Sequence, residues 1–395
     1  MKLYKNLVNS VALTLQEIFQ KNRYADKAIE RIFKQNPQWG SRDRRFVAEG
    51  VYDIVRNFRL YSEVAESPGN YWFITGVWLV LKNIDIPEWP EFRHLNKERI
   101  RRAHSSLSSN QVVMQSYPDW LWELGTQELG EETWKREAIA MNDQAPVFLR
   151  ANTLKTTPEK LAAELLKSGI ATMPVANCTS GLELLKRENV FQNRLFKEGW
   201  FEVQDAGSQQ ISEFLKPGPG DLVIDACAGA GGKSLHLAAL MKNKGKVISL
   251  DVDSRKLEEL KKRARRAGAF NIETRLIEND GVSALFGKAD LLLLDVPCSG
   301  LGVLKRNPDA KWKLNPQVIE KTKRIQESIL SGYSDMLKAG GTMVYSTCSI
   351  LPSENRQQVD QFLARKPAFT LLAEKTLMPS SGTDGFYMAR IKKTR

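Results

Sequence analysis

Between Leu215 and the carboxyl terminus, short apolar runs alternate with segments of helical periodicity. The apolar runs are Leu222–Ile224, Val247–Leu250, Asp290–Leu294 and Thr342–Tyr345. This alternation is typical of an α/β fold, a doubly wound and mostly parallel sheet with helices on both faces. Ligands bind such sheets at the carboxyl ends of the strands, so we expect the functional residues directly after these runs.

Two further regions precede the predicted sheet. At roughly 100–200 residues per domain, a chain of 395 residues is expected to hold two to four domains. Residues 1–115 are predicted to be helical, because apolar side chains recur there at helical spacing. Residues 116–214 are predicted to form a linker helix, Asp119–Met141, and a small α/β subdomain. The sheet domain then occupies residues 215–395.

Several classes of protein are disfavoured by the sequence. The longest apolar run, Tyr71–Leu81, is shorter than the ~20 residues that cross a bilayer, so we interpret it as a buried helix. No stretch resembles a signal peptide. Four cysteines without CxxC spacing predict neither a disulfide framework nor a metal site. We therefore expect a cytoplasmic protein.

The net charge of +12 favours a polyanionic partner. By segment, the formal charge is +6 over residues 1–110, −5 over residues 111–215 and +11 over residues 216–395. The helical region and the sheet domain are therefore the expected phosphate-binding surfaces, and the acidic segment between them is not.

A glycine-rich loop follows the first predicted strand of the sheet domain, with the sequence Asp-Ala-Cys-Ala-Gly-Ala-Gly-Gly-Lys-Ser over residues 225–234. A P-loop would need glycine at Cys227, and a dinucleotide loop would need glycine at Ser234. The spacing instead resembles the S-adenosylmethionine loop, with cysteine in place of the first glycine. The predicted cofactor contacts in this loop are Asp225, Cys227, Ala228, Gly229, Gly231 and Gly232.

Two acidic residues downstream suit the same cofactor. Asp251 ends the second strand, where a carboxylate can accept hydrogen bonds from a ribose diol. Asp280 follows the third apolar segment, within reach of an adenine. Both have simpler interpretations, since Asp251 could begin a helix as its N-cap and Asp280 could be an ordinary turn residue.

Two cysteines lie directly after predicted strands, Cys298 in Asp295-Val-Pro-Cys-Ser-Gly and Cys348 in Tyr345-Ser-Thr-Cys-Ser-Ile. Paired thiols at the ligand-binding edge indicate chemistry that needs a soft nucleophile. The alternative is that each is a small buried apolar residue, which is the interpretation we favour for Cys178. The sequence pattern alone does not decide which of the pair attacks.

These motifs resemble the NOP/Sun family of RNA cytosine-5 methyltransferases, most closely its bacterial RsmB-like branch, which modifies 16S ribosomal RNA. The resemblance rests on DACAGAGGKS, LLLDVPCSG, VYSTCSILPSEN and GTDGFYMAR, together with FLRANTLK and VQDAGSQ. It implies a Rossmann-like class I methyltransferase domain that uses S-adenosylmethionine. It further implies a preceding RRM-like subdomain and, more loosely, a NusB-like helical RNA-binding domain.

The resemblance also implies residue roles. A thiolate adds to C6 of cytosine and makes C5 nucleophilic. The Pro-Cys thiol used by DNA cytosine methyltransferases would favour Cys298 for this step, but the family pattern assigns it to Cys348 and gives Cys298 a role in product release. Asp295 is implied to contact the base and to lie among the cofactor contacts. Lys233 is implied near the cofactor, and Asp384 beside the active site.

Basic residues outside these motifs are the candidate RNA contacts. The segment 305–313 reads KRNPDAKWK, so Lys305, Arg306, Lys311 and Trp312 are predicted to bind phosphates and stack on bases. Arg45 and Arg56 lie on the cationic face of a predicted helix. The simpler interpretations are an ordinary basic loop and a solvated helix face.

Methylation of cytosine C5 in 16S ribosomal RNA is therefore the leading hypothesis, with RNA as partner and the chain as a monomer. The first alternative is the same reaction on transfer RNA. The second is a non-catalytic RNA-binding or ribosome-assembly factor, which the presence of both cysteines and Asp295 disfavours.

Overall fold

A computed structural model describes residues 3–278 and 282–394 of the chain. It divides into two compact units. The helical unit contains the chain up to Asp143 together with Leu304–Pro316. The sheet unit contains Gln144–Val303 and the chain from Gln317 onward. The boundary predicted at residue 115 thus falls inside the helical unit, and the one predicted at residue 214 falls inside the sheet unit.

The helical unit begins with nine α-helices and one 3-10 turn, Pro90–Phe92. The helices are α1 (Lys5–Phe19), α2 (Ala25–Gln35), α3 (Ser41–Arg56), α4 (Phe58–Ala65), α5 (Tyr71–Leu81), α6 (Lys97–Ser106), α7 (Gln111–Met114), α8 (Asp119–Leu129) and α9 (Glu131–Ala140). The prediction of a buried helix at Tyr71–Leu81 is confirmed, since every residue from Ile74 to Val80 is buried. Among the described residues, no helix combines the length and apolar character needed to cross a membrane.

The linker helix predicted as a single element is two helices in the structure, α8 and α9. They are separated at Gly130, whose backbone has φ +80° and ψ 152°, outside the helical region. The two helices pack closely, because a Cβ atom on Gly125 would come within 2.2 Å of the buried Trp134 ring. The prediction of one continuous helix was wrong because helical periodicity does not reveal this break.

The sheet unit begins with a small four-stranded antiparallel sheet in the order β2-β3-β1-β4. Its core contains Leu149, Leu161, Leu182 and Phe201. The predicted helix near Pro158–Ser168 and three of the strands are confirmed to within two residues. The elements are β1 (Phe148–Ala151), α10 (Pro158–Lys167), β2 (Thr172–Pro174), β3 (Gly181–Leu184), α11 (Arg194–Lys197), β4 (Phe201–Val203) and α12 (Ala206–Leu215).

The remaining chain forms a seven-stranded sheet in the order β10-β11-β9-β8-β5-β6-β7. The strands from β9 to β7 in that order are parallel, and β10 and β11 are antiparallel additions. The elements are β5 (Leu222–Asp225), α13 (Gly232–Leu240), β6 (Lys246–Asp251), α14 (Ser254–Ala267), β7 (Ile272–Leu276), β8 (Ala289–Asp295), α16 (Pro316–Tyr333), β9 (Leu337–Thr347), α17 (Arg356–Arg365), β10 (Phe369–Leu377) and β11 (Phe386–Lys393). The short helix α15 (Ala310–Lys313) lies between β8 and α16 in the chain and belongs to the helical unit.

Consecutive residues of the central strands enter different cores, because side chains of a strand alternate between faces. Val223, Val247 and Leu293 pack on one face of the sheet. Their neighbours Ile224 and Ile248 pack on the other. Both faces are covered, which explains why the apolar runs are continuous and confirms the predicted doubly wound sheet.

Candidate active site

Four parallel strands bring the predicted site residues to one edge of the large sheet. Strands β5, β6 and β8 end at Asp225, Asp251 and Asp295. Strand β9 ends one residue before Cys348, and its Ser346 is aligned with Asp295. The carboxyl ends therefore meet as the sequence predicts.

The glycine-rich loop turns sharply between β5 and α13. Gly229 and Gly231 have φ angles of +54° and +85°, and residues other than glycine rarely adopt such positive φ angles. A Cβ atom on Gly231 would come within 2.4 Å of Leu260, whereas open space surrounds the corresponding position of Gly229. Gly229 thus leaves room for a ligand, and Gly231 allows the loop to pack on α14.

Asp251 holds the loop through both carboxylate oxygens. Its Oδ2 accepts a hydrogen bond from the Gly229 N–H at 2.8 Å, and its Oδ1 accepts one from the Asp253 N–H at 2.8 Å. Each oxygen keeps a second lone pair that could accept from a ribose hydroxyl. The N-cap of α14 is Asp253, so the alternative helix-cap interpretation of Asp251 was wrong. Asp280, the predicted adenine contact, lies outside the described residues.

Asp225 is fully buried beneath the loop. Its Oδ2 accepts a hydrogen bond from the Ser234 hydroxyl at 2.6 Å, while its Oδ1 is buried and has no hydrogen-bond partner among the residues that the structure describes. Burial raises the pKa of Asp225 to about 6, against the opposing hydrogen bond from Ser234. An unsatisfied buried acceptor beside an open glycine turn fits a ligand that donates hydrogen bonds.

The other loop residues support this arrangement. Ala228 uses its N–H in a hydrogen bond to the Leu250 carbonyl, and Gly232 begins α13. Burial, followed by the charges of Asp225 and Asp295, raises the pKa of the Cys227 thiol, so that thiol stays neutral.

Lys233 and Asp295 form an ion pair, with Nζ 2.6 Å from Oδ2. The Ser346 hydroxyl donates to the other oxygen of Asp295 at 3.0 Å. Burial acts to lower the pKa of Lys233, but the charge and hydrogen bond of Asp295 outweigh it, with smaller contributions from Asp225 and Cys348, and the net pKa is raised. Lys233 is therefore a permanent cation between the loop and the cysteines.

Cys298 and Cys348 lie with their sulfur atoms 3.1 Å apart. The hydrogen bond to Cys348, then burial, then the charges of Cys348 and Glu354 raise the pKa of Cys298 well above that of a free thiol. Cys298 is consequently a neutral thiol that can donate a hydrogen bond to the Cys348 sulfur. Lys233 interacts electrostatically with Cys348, and this interaction contributes to the raised pKa of Lys233.

The sequence was compared with known proteins. "Probable ribosomal RNA small subunit methyltransferase B" of Synechocystis is 31% identical over 96% of this chain and 98% of its own length. A model described as "16S rRNA methyltransferase RsmB/F" matches residues 212–392. The chain belongs to the RsmB/F methyltransferase family.

Further matches agree with this membership. "Ribosomal RNA small subunit methyltransferase B" of Vibrio cholerae is 34% identical over 72% of this chain and 67% of its own length. A solved "Methyltransferase Homolog Protein" from Pyrococcus horikoshii is 28% identical with a TM-score of 0.65, over 72% of this chain and 98% of that one. A model of the family's ferredoxin-like domain matches residues 117–191. The chain is thus an RNA methyltransferase that uses S-adenosylmethionine, while the likeness of its helical unit to NusB stays a prediction.

Glu354 is a residue of this family site that sequence reasoning missed. Its fully buried carboxylate accepts hydrogen bonds from the Ser299 N–H at 2.8 Å, from the Ser299 and Ser349 hydroxyls, and from Gln326 at 3.1 Å. Ser299 and Ser349 each follow one of the two cysteines. Glu354 therefore ties both cysteine loops together, and its place in the PSEN stretch was the only sequence signal.

The small sheet also supports the cofactor loop, which the sequence did not reveal. Arg150 of β1 is 3% exposed and donates to the Gly232 carbonyl at 2.6 Å. Arg263 of α14 donates to the Ala230 carbonyl at 2.7 Å and to Glu202 of β4 at 2.9 Å. These bonds hold the loop carbonyls, so the ferredoxin-like subdomain positions the methyltransferase loop.

Asp384 lies beside the cysteine loops, as the family resemblance implied. It is buried and precedes Gly385, whose N–H donates to the Gly302 carbonyl at 2.7 Å. The Gly302 N–H in turn donates to the Cys348 carbonyl at 2.9 Å. Gly302 allows this close approach, since a Cβ atom there would come within 2.2 Å of the Gly385 carbonyl oxygen.

The prediction that Lys311 contacts RNA was wrong, because Lys311 is buried inside the helical unit, whereas Trp312 is only partly buried and its contact with RNA stays a prediction. Lys311 is 1% exposed, and its Nζ donates to the Arg56 carbonyl at 2.7 Å and to Asn142 Oδ1 at 3.0 Å. Burial, together with the nearby Arg56 charge, lowers its pKa well below that of a free lysine. The Trp312 indole N–H donates to the Val55 carbonyl at 2.7 Å.

The other basic candidates differ in how exposed they are to solvent. Lys305 is only 6% exposed and accepts a hydrogen bond at its carbonyl from Arg56, so neither side chain is a free surface cation. Arg306 is half-buried and Arg45 is exposed, so RNA contact by these two stays a prediction.

Proposed function

We propose that this chain methylates C5 of cytosine in 16S ribosomal RNA through a covalent bond between Cys348 and C6. The observation that carries the proposal is the thiol pair at 3.1 Å beside the Lys233–Asp295 ion pair. Cys298 is held as a neutral thiol in contact with Cys348, so one sulfur is available for nucleophilic addition and the other for the later release. We further propose that the chain acts as a cytoplasmic monomer.

The cofactor site would be formed by Asp225, Gly229 and Asp251. Once bound there, S-adenosylmethionine supplies an electrophilic methyl group. Asp295 forms an ion pair with Lys233, and its carboxylate oxygens can also accept a hydrogen bond from the exocyclic amino group of cytosine and orient the base. The base must leave its stack to reach this position, which costs a few kcal/mol and favours an unpaired target.

The thiol pair accounts for both halves of the reaction. The Cys348 thiolate forms a bond to C6, and the electrons of the C5–C6 double bond make C5 nucleophilic. Once Cys348 is bonded to C6, its sulfur no longer accepts the hydrogen bond of a neighbouring thiol as before, and that hydrogen bond is the largest cause of the raised pKa of Cys298. Cys298 can then lose its proton to solvent and take the proton from methylated C5. The C5–C6 double bond re-forms and expels Cys348 as thiolate.

Bisulfite sequencing of RNA from a strain that lacks this protein tests the substrate. We expect one 5-methylcytosine to disappear from 16S ribosomal RNA and to return when the wild-type chain is supplied. A loss confined to transfer RNA would support the first alternative, and no loss in either RNA would refute the proposed activity.

Cysteine variants test the roles. Cys298→Ala should accumulate a covalent protein–RNA adduct that resists denaturing electrophoresis, because the step that releases C6 is impaired. Cys348→Ala should form no adduct and no product. Cys178→Ala is the matched control, since that thiol is buried in a separate small cluster and should affect neither. An adduct that accumulates in Cys348→Ala and is absent in Cys298→Ala would instead make Cys298 the nucleophile and give Cys348 the role in release.

A further inference from the structure

Two turns at the amino-terminal edge of the large sheet are joined by one side chain. Residues 241–245 connect α13 to β6, and residues 268–271 connect α14 to β7. Asn243 Nδ2 donates to the Gly268 carbonyl at 2.8 Å, and Asn243 Oδ1 accepts from the Phe270 N–H at 3.1 Å. The backbone at Phe270 is therefore fixed relative to the neighbouring turn.

Phe270 is 84% exposed, the largest exposed fraction among the large apolar side chains of the described chain. Burying such a ring would favour the folded state, but folding leaves this ring in solvent. Lys242 and Asn243 both adopt left-handed backbone, with φ 54° and 58°. The hydrogen bonds of Asn243 thus hold the backbone that presents this solvent-facing aromatic ring.

The surroundings of Phe270 are cationic. Lys242 and Lys244 flank Asn243, are exposed, and form no ion pair with any residue the structure describes. Two carboxylates on adjoining segments, Glu273 in β7 and Asp221 directly before β5, are already engaged. Glu273 is paired with Lys246 and Arg275. Asp221 Oδ2 accepts a hydrogen bond from the Gly218 N–H at 2.7 Å.

We propose that Phe270, Lys242 and Lys244 form a second RNA-binding surface, on which an unpaired base stacks while the lysines contact phosphates. The inference rests on the proposed RNA substrate. An exposed aromatic ring on a turn that is hydrogen-bonded to a turn with two lysines, unpaired within the described chain, matches the stacking and phosphate contacts of single-stranded nucleic acid. The six residues of β6, at about 3.3 Å each, place this surface roughly 20 Å from Asp251. It therefore binds RNA remote from the target cytosine.

The test compares variants on RNA that spans both surfaces and on a minimal fragment that carries only the target loop. Phe270→Ala should raise KM for the long RNA by about 5- to 100-fold, from the usual contribution of one stacked base. The kcat, the Kd for S-adenosylmethionine and the KM for the minimal fragment should not change. The double variant Lys242→Ala/Lys244→Ala should reduce the slope of log K against log salt by about 2.

Phe191→Ala is the matched control. Phe191 is 53% exposed on the acidic subdomain, and its loss should leave KM for the long RNA unchanged. An unchanged KM for Phe270→Ala, in a preparation whose wild type methylates the long RNA, would overturn this inference alone. If Phe270→Ala lost activity on assembled ribosomal particles but not on naked RNA, the surface would bind a protein partner, and the inference of RNA binding would also be overturned. Wild type that methylates no RNA would overturn the proposed function instead.

Discussion

The buried carboxyl group of Asp225 should make the stability of the sheet unit depend on pH. Replacing it with asparagine keeps its shape and a hydrogen-bonding side chain but removes its ionisation. In the folded chain, burial raises the pKa of this group from 3.8 to about 6. This difference corresponds to ~3 kcal/mol between the two protonation states.

The sign follows from proton binding. As the pH rises, the unfolded chain loses this proton first, near pH 3.8, while the folded chain keeps it until about pH 6. The protonated group therefore contributes stability that is fully present below pH 3.8 and is lost as the pH rises through 6. About 2–3 kcal/mol of it disappears between pH 4 and pH 7. Asp225→Asn does not undergo this loss, so the free energy of unfolding of the variant should rise relative to that of the wild type as the pH rises.

Scanning calorimetry measures the effect, with the sheet unit identified as the transition that added S-adenosylmethionine raises in the wild type. For a unit of this size, 1 kcal/mol shifts Tm by about 2–4 °C. Between pH 4 and pH 7, the Tm difference between variant and wild type should therefore move by about 5–10 °C in favour of the variant.

Asp360→Asn is the control for removing a negative charge, since Asp360 is an exposed carboxylate on α17 of the same unit. Its Tm difference from the wild type should stay nearly constant over the same range. A difference for Asp225→Asn that is equally constant would refute the assignment of a buried, ligand-facing carboxyl group.

Three other variants test contacts that the structure reveals. Glu354→Gln should destabilise the sheet unit by about 2–3 kcal/mol in calorimetry and lower kcat, because the carboxylate joins both cysteine loops. The control variant Glu320→Gln, at an exposed position, should change neither the stability nor kcat. Arg150→Lys should weaken S-adenosylmethionine binding by about 10-fold in titration calorimetry without changing KM for RNA, and an unchanged Kd would contradict its positioning role. Lys311→Met should destabilise the helical unit by about 1–3 kcal/mol yet leave RNA affinity unaltered, whereas weaker RNA binding by a folded variant would restore the original prediction.

The sequence by itself determined the parallel sheet, the glycine-rich loop and the meeting of the two cysteines. These follow from local information, because apolar runs covered on both faces predict parallel strands. The carboxyl ends of such strands meet at one edge, which is enough to bring Asp225, Asp295 and Cys348 together without knowledge of any long-range contact.

Only the tertiary structure decided which charged side chains remain available to a ligand. Lys311 looked like a phosphate contact, yet its ammonium group bonds to the carbonyl of Arg56, 255 positions earlier in the chain. Arg150 reaches the cofactor loop across 82 positions. Composition and spacing cannot anticipate these bonds, because the cost of burying a charge is offset only by acceptors that folding brings from distant parts of the chain.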